Sequence, residues 1–179
     1  MEKNKLIIIT GASGGLGLNI LKYFSTHHKV LAIYNKNKPK FINSNITYLR
    51  IDFLKKIKIN IKYLNFQNIV LINLASIKKD GLLINYSLKN WRDVFKVNVE
   101  SNFEITKIIL KQMINNKWGR VINFSSSDGS KGDVGTAAYT SSKLAIHGIN
   151  KVISKEYAKF NITSNVLLLG NFNFGMFKS

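Results

Sequence analysis

The stretch LIIITGASGGLGLNILKYF at residues 6–24 decides how the fold begins. Its first five residues are an apolar, mostly β-branched run that predicts a buried strand, and residues 16–24 have apolar side chains at helical spacing. In the turn between them, Gly11 permits a tight bend, Gly15 lets the backbone approach a phosphate, and Gly17 lets the helix pack close to the strand. A glycine-rich turn alone is also typical of ordinary loops. The strand–turn–helix context therefore favours nucleotide binding, with the helix N-terminus facing the pyrophosphate.

The rest of the chain continues the alternation of strand and helix. Further strands are predicted at residues 30–34, 46–51, 69–74, 120–125 and 162–169, and long helices at 91–113 and 137–160. Continuously apolar strands that alternate with helices indicate right-handed βαβ units around a parallel sheet buried on both faces. The predicted fold class is α/β, a three-layer, doubly wound, Rossmann-like parallel sheet in one domain over residues 1–179. In that fold, ligands bind at the carboxyl ends of the strands.

Composition narrows the possible functions. Apolar residues make up 45% of the 179 residues, which is typical of a globular core, and there is no cysteine for a disulfide framework, a zinc–thiolate site or a thiol nucleophile. No apolar run approaches the roughly 20 residues of a membrane span. The first ten residues lack a signal-peptide core, so we predict a cytoplasmic protein and no membrane partner.

The net charge of +18 comes from 27 Lys and Arg against 9 Asp and Glu. One interpretation is a solvated basic surface that reflects a bias in composition, since Asn and Ile are about as abundant as Lys. The other interpretation is a basic face that binds an acidic partner. A nucleic-acid binder would more often show arginine clusters with interleaved aromatic residues, and here the lysines are scattered.

The segment Tyr139-Thr-Ser-Ser-Lys143 carries the strongest chemical signal. Positions i and i+4 share one face of a helix, so the phenol and the ammonium group can point into one site. A free phenol has a pKa of about 10. A cation about 5 Å away contributes roughly 3 kcal/mol at an effective dielectric of 20, or about two pK units, which would make Tyr139 a working acid or base. An exposed helix pair would have the same spacing.

Two polar residues add to this segment. Ser126 ends the fifth predicted strand, where its hydroxyl could hydrogen-bond a substrate carbonyl, although Ser125 and Ser127 are adjacent candidates. Asn98 lies between Val97 and Val99 in a predicted apolar helix. It is either a satisfied core amide or a functional group.

The end of the second strand bears on the choice of cofactor. Folds that select NAD usually have an acid there for the ribose 2′-hydroxyl, whereas this chain has Asn35, Lys36 and Lys38. These lysines predict NADP, with NAD still possible, unless they are simply two more surface lysines. Asp52, after the third strand, could accept a hydrogen bond from adenine or form a local Asx turn.

Taken together, these motifs resemble the short-chain dehydrogenase/reductase family over essentially the whole chain. The family's TGxxxGxG pattern falls at residues 10–17, with Asn98, Ser126 and the Tyr139/Lys143 pair at family spacing. The stretch INLASIKKDGLLINYSLKNWRDVFKVN at residues 72–98 is closest in pattern to the 3-oxoacyl-acyl-carrier-protein reductases.

The resemblance implies an NAD(P)(H)-dependent oxidoreductase that reduces a carbonyl or oxidises an alcohol. Tyr139 would protonate the substrate oxygen, Lys143 would bind the nicotinamide ribose and lower the pKa of Tyr139, Ser126 would hold the oxygen, and Asn98 would position a water. The implied substrate is a small-molecule or acyl-carrier-bound carbonyl, such as a 3-oxoacyl group or a sugar or envelope precursor. The implied cofactor-binding residues are Gly11, Ser13, Gly15, Leu16, Gly17, Asn35, Lys36, Asp52, Phe53, Asn73, Ala75, Tyr139, Lys143 and Phe172. No metal site is predicted.

Three features depart from the family pattern. The usual Asn-Asn-Ala-Gly after the fourth strand is Asn73-Leu74-Ala75-Ser76 here, and a Pro-Gly after the sixth strand is replaced by Leu169-Gly170. The chain also ends where the family continues into a last strand and a C-terminal segment, which we expect to be lacking. A non-catalytic nucleotide-binding or scaffold protein is therefore the alternative function. Apolar residues around the helix at 138–158 predict a homodimer or homotetramer.

Overall fold

Six parallel strands form the centre of the molecule, in the order β3-β2-β1-β4-β5-β6. The structure is a computed structural model, and it describes residues 5–127 and 131–170. The strands are β1 (Lys5–Thr10), β2 (Lys29–Tyr34), β3 (Ile46–Arg50), β4 (Asn68–Asn73), β5 (Gly119–Ser126) and β6 (Ile162–Leu169). The helices are α1 (Gly15–Ser25), α2 (Leu88–Phe95), α3 (Ser101–Asn115) and α4 (Ala137–Glu156).

Both faces of the sheet are covered, which confirms the predicted three-layer doubly wound fold. Ile8 of β1 packs into a cluster with Ile105 and Ile109 of α3. The neighbouring Ile7 and Ile9 point to the opposite face and pack with Leu21 of α1. Successive side chains of a strand alternate between faces, so a continuously apolar strand is what a sheet between two helical layers requires.

The long helix predicted at residues 91–113 differs from the observed one in a way that bears on function. It begins earlier, at Leu88, because the Ser87 hydroxyl caps it by accepting a hydrogen bond from the Asn90 N–H at 3.2 Å. Between α2 and α3 the backbone forms a π-helical turn, Lys96–Glu100, around the buried Asn98. π-turns within helices are frequent at functional sites.

The last predicted helix, at residues 137–160, is shorter than expected. It ends at Glu156, and a 3₁₀ turn at Ala158–Phe160 leads to Asn161, whose φ of 57° lies in the left-handed region. Among the described helices, none combines the length and the apolar character that crossing a membrane requires.

The turn after β1 is fixed by close backbone contacts. Gly11 has a φ of +68°, and a Cβ there would lie 2.9 Å from the backbone N of Ala75. A Cβ on Gly17 would collide with the carbonyl oxygen of Gly11. The Thr10 hydroxyl accepts hydrogen bonds from the N–H groups of Leu74 (3.0 Å) and Ala75 (3.1 Å). The glycine-rich turn is thereby tied to the loop that follows β4.

Candidate active site

A groove of about 760 Å³ runs along the carboxyl ends of the strands, from the end of β2 to the end of β6. This is the position that a doubly wound fold predicts for a ligand. The predicted site residues that line it are Gly11, Ser13, Gly15, Leu16, Gly17, Asn35, Lys36, Phe53, Ala75, Ser126, Tyr139 and Lys143. The groove is also lined by Ser125, Leu74, Ser76, Leu169 and Gly170, which the sequence singles out without a cofactor role, and by Gly14, Ile33, Tyr34, Leu54, Ile77, Val97 and Phe124. Tyr34 and Leu169 are the last residues of predicted strands, the position at which this fold binds ligands.

One end of the groove is suited to a phosphate group. Gly14 precedes α1 without a side-chain cap, and the first turn of α1 contains no acidic residue. The first N–H groups of a helix carry partial positive charge and lack intrahelical partners, which makes this end a site for an anion. The close approach of Gly11 and Gly17 leaves no space for side chains in the turn. These features fit the pyrophosphate of a dinucleotide.

The other part of the groove contains the Tyr139/Lys143 pair. Both residues are buried, with 4% of Tyr139 and 7% of Lys143 exposed to solvent. The Lys143 Nζ lies 5.5 Å from the centroid of the Tyr139 ring and donates a hydrogen bond to the Phe124 carbonyl oxygen at 3.0 Å. The pair is therefore not an exposed helix pair, and α4 directs both side chains towards the end of β5.

Burial changes the acidity of the lysine. Desolvation lowers the pKa of Lys143 from 10.5 to about 8, because the charged form loses its hydration when it leaves water. At mildly alkaline pH, the protonated and neutral forms of Lys143 are therefore both populated. A perturbed lysine in a groove is a typical feature of functional sites.

The Asn98 amide connects three parts of the site. Its Oδ1 accepts from the Ile77 N–H (2.8 Å), and its Nδ2 donates to the Ile77 carbonyl (3.0 Å) and to the Ser142 Oγ (3.0 Å). The Ser142 hydroxyl donates in turn to the Tyr139 carbonyl at 2.7 Å. Both amide hydrogens are used within the protein. Asn98 thereby fixes the loop after β4 against α4, and its role in positioning a water stays a prediction.

Two predicted cofactor residues, Asp52 and Asn73, do not line the groove. The Asp52 Oδ1 accepts from the Leu54 N–H at 3.1 Å, which is the Asx turn that the sequence left open. The Asn73 amide is buried and donates to the Thr106 Oγ1 (3.2 Å) and the Asn123 Oδ1 (3.0 Å). Its side chain joins the sheet to α3 instead of lining the groove.

Three further predictions have different outcomes. The Lys38 Nζ lies 5.1 Å from the centroid of the Tyr48 ring, and Lys38 does not line the groove. Phe172 lies outside the described residues. Of the three adjacent serines, Ser125 and Ser126 line the groove, but the Ser125 hydroxyl donates to the Lys143 carbonyl at 3.3 Å.

The departures after β4 also lie in the groove. Leu74 and Ser76 both line it, which places an apolar side chain where the family pattern has an amide. The Ser76 Oγ is buried and has no hydrogen-bond partner among the described residues.

The fold and this groove define a nucleotide-binding α/β protein of the Rossmann type. A family model described as short chain dehydrogenase matches residues 5–179, so the chain belongs to that family. A 3-oxoacyl-[acyl-carrier-protein] reductase of Buchnera aphidicola is 31% identical over 184 residues, covering 96% of this chain and 75% of the relative. An acetoacetyl-CoA reductase of an Acinetobacter species is 28% identical, covering 95% of this chain and 75% of the relative.

The solved structures agree with the fold. A 4-hydroxyisoleucine dehydrogenase complexed with NADH superimposes with a TM-score of 0.75 at 26% identity. The match covers 91% of this chain and 74% of that structure. The predicted family and fold class are therefore confirmed.

Because Lys143 is buried, we predict that the difference in folding stability between the wild type and Lys143→Met depends on pH. Between pH 8 and 10.5 the unfolded chain binds a proton that the folded chain does not, so this lysine's unfavourable contribution to folding decreases as pH rises. We expect Lys143→Met to be more stable than the wild type at pH 7. That advantage should shrink by about 2 kcal/mol between pH 7 and pH 9.5, measured by urea unfolding.

The matched control is Lys151→Met, which removes an exposed lysine from the same helix. Its stability difference from the wild type should not change over this pH interval. If the stability difference between Lys143→Met and the wild type is also independent of pH, the prediction of a buried lysine with a lowered pKa is contradicted.

Proposed function

We propose that the chain is an NADP-dependent oxidoreductase that reduces a carbonyl, or oxidises the corresponding alcohol, by hydride transfer. The observation that carries this proposal is the buried Tyr139/Lys143 pair, which shares one groove with Ser126 and the glycine-rich turn. When bound, the nicotinamide supplies the hydride for the carbonyl carbon. The protein's residues bind and orient the substrate and move the proton.

Tyr139 is the proposed proton donor. In the reducing direction its O–H gives a proton to the substrate oxygen as negative charge develops there, and the resulting phenolate is stabilised by the Lys143 ammonium. Ser126 donates a hydrogen bond to the same oxygen. Lys143 also binds the nicotinamide ribose, and Asn98 acts as a positioning residue through Ile77 and Ser142. In the oxidising direction the phenolate accepts the proton.

The proposed substrate is a 3-oxoacyl group, on an acyl carrier or as a small molecule. The support is the similarity to the 3-oxoacyl-[acyl-carrier-protein] and acetoacetyl-CoA reductases, together with a net charge of +18 that would attract an acidic carrier. A sugar or other envelope precursor is the competing substrate class. The cytoplasmic location remains a prediction from the sequence.

Replacement of Tyr139 tests the activity. With acetoacetyl-CoA, we expect NADPH oxidation at 340 nm to fall about 100- to 10,000-fold in Tyr139→Phe, because the proton donor is lost. Ser126→Ala should lose about 100-fold through the missing hydrogen bond to the developing oxyanion. NADPH binding, measured by calorimetry, should be nearly unchanged in Ser126→Ala.

Ser127→Ala is the matched control, because Ser127 does not line the groove. Simple ketones and nucleotide sugars test the competing substrate class. If the wild-type chain binds NADPH but turns over none of these substrates above the Tyr139→Phe rate, the alternative function, a nucleotide-binding or scaffold protein, is supported instead.

Lys36 is the proposed contact for the 2′-phosphate of NADP. It lines the groove next to Asn35, and the Arg50 Nε donates to the Asn35 carbonyl at 3.1 Å, which brings a second cation to the end of β2. Cations at this position favour a phosphate over a free ribose hydroxyl.

We expect kcat/KM for NADPH to exceed that for NADH. Lys36→Gln should lower kcat/KM for NADPH about tenfold, which corresponds to one charge-assisted contact, and leave the value for NADH within twofold. Lys38→Gln is the control, because Lys38 faces Tyr48. A preference for NADH in the wild type would contradict the assignment of NADP.

A second copy of the chain is the proposed partner for the outer face of α3 and α4. An apolar groove lies between these helices, and Phe103 and Val152 at its edge are each 52% exposed. Lys107 and Glu156 also line it, so a two-fold arrangement could pair opposite charges while burying the apolar surface. This geometry supports a homodimer, which could associate further into a homotetramer.

Light scattering should give a mass of about twice the 20.3 kDa of one chain or a higher multiple. Val152→Lys should shift the population towards the single-chain mass, because it places two like charges in the buried interface. Val134→Lys is a control at another exposed valine. A single-chain mass for the wild type at all concentrations would contradict the proposal.

A further inference from the structure

Tyr139 has a second lysine close to its ring. The Lys78 Nζ lies 5.8 Å from the ring centroid, compared with 5.5 Å for the Lys143 Nζ. The two cations come from different elements, since Lys143 is on α4 and Lys78 is on the loop between β4 and α2. Only 22% of the Lys78 side chain is exposed, and its Nζ lies 3.4 Å from the Asp80 carboxylate.

The loop that carries Lys78 is held on both sides of this residue. Immediately before it, the backbone N–H and carbonyl of Ile77 are both bonded to the Asn98 side chain. Immediately after it, the Lys79 carbonyl accepts from the Tyr86 hydroxyl at 2.7 Å, and the Lys79 Nζ is bound to Asp93 at 2.8 Å. The Gly81 N–H donates to the Gly135 carbonyl at 2.9 Å. The backbone at Lys78 is thus fixed against the segment that leads into α4.

We propose that Lys78 is a second cationic group of the site, which stabilises the phenolate of Tyr139 electrostatically from the loop side. The inference rests on the proposed function only for its catalytic consequence. In that setting Lys78 is a positioning residue for the proton of Tyr139, and Asp80 moderates it as the counter-charge. Without Lys78, the phenolate would be stabilised by Lys143 alone, and Lys143 loses its charge above its lowered pKa of about 8.

Among the described residues that line the groove with Tyr139, Lys143 and Lys36 are the charged ones. The end of β5 contributes Phe124, Ser125 and Ser126 to the groove, and the π-helical turn contributes Val97 and the Asn98 amide. On α2, Asp93 is paired with Lys79 and Lys89 at 2.8 and 2.9 Å. Within the described ranges, the charged groups established close to the phenol are Lys143, Lys78 and the Asp80 that pairs with Lys78.

The direct test is the titration of Tyr139, followed by NMR of protein labelled at the tyrosine Cζ. The signal that is missing from Tyr139→Phe identifies the residue among the seven tyrosines. Removing the charge in Lys78→Met should raise the pKa of Tyr139 by about half to one unit. This is less than for an isolated buried cation, because solvent and Asp80 screen Lys78.

Three further variants make the test specific. Lys78→Arg keeps the charge and should restore most of the wild-type titration, whereas Asp80→Asn should lower the pKa of Tyr139. Lys89→Met, which removes an exposed lysine on α2, should leave it unchanged. If Lys78→Met does not fold, Asp80→Asn still shows whether removing the counter-charge of Lys78 lowers the pKa of Tyr139. The inference is overturned if Lys78→Met shifts the pKa by less than 0.2 units, if Lys78→Arg shifts it as much as Lys78→Met, or if Asp80→Asn raises it.

Turnover separates this inference from the proposed function. In an active enzyme, the alkaline limb of kcat/KM for carbonyl reduction should move upward in Lys78→Met with the NMR titration, because the proton donor must be protonated. If the Tyr139 titration shifts in Lys78→Met but the wild type turns over no substrate, the proposed role of Lys78 is kept and the proposed redox function is rejected. If turnover depends on Tyr139 but the Tyr139 titration does not shift in Lys78→Met, only the proposed role of Lys78 is rejected.

Discussion

The constraint on which the site depends is a lysine ammonium group buried next to a phenol. Lys143 loses most of its hydration where α4 packs on the end of β5, and its hydrogen bond to the Phe124 carbonyl offsets only part of that loss. A buried cation of this kind destabilises the folded chain unless nearby negative charge appears. The phenolate of Tyr139 is such a charge, so the same desolvation that lowers stability strengthens the attraction in the ionised site. The position of α4 on the sheet therefore brings this lysine and the phenol together in the groove.

Local sequence signals were sufficient for most of the fold and for the centre of the site. The apolar run of β1, the close approach of Gly17 to Gly11, and the i, i+4 spacing of Tyr139 and Lys143 each express their structural consequence within a few residues. The outcome for Asp52 is also local, since its partner is the Leu54 N–H two residues on.

The features that the sequence did not predict depend on distant partners. The Asn73 amide is directed by Thr106 and Asn123, which are 33 and 50 residues away. The π-helical turn surrounds Asn98, whose amide is held by Ile77, 21 residues earlier, and by Ser142, 44 residues later. No periodicity of a single segment contains such contacts, because they arise only when the sheet brings the elements together. A polar residue inside an apolar helix shows that a partner exists, without indicating which one.

The net charge of +18 is less informative about the site than the positions of two lysines. Most lysines of the chain are exposed, where salt screens their fields over roughly 10 Å. Several are also paired, as Lys96 is with Glu100 at 2.9 Å and Glu104 at 3.0 Å. The potential at Tyr139 is determined instead by groups within about 6 Å that are shielded from solvent, because there the effective dielectric is lower. Facing an aromatic ring does not by itself single out a lysine in this chain, since Lys5 lies 5.6 Å from the Trp118 ring. Lys143 differs from the surface lysines in its burial, and both Lys143 and Lys78 lie within 6 Å of the centroid of the Tyr139 ring.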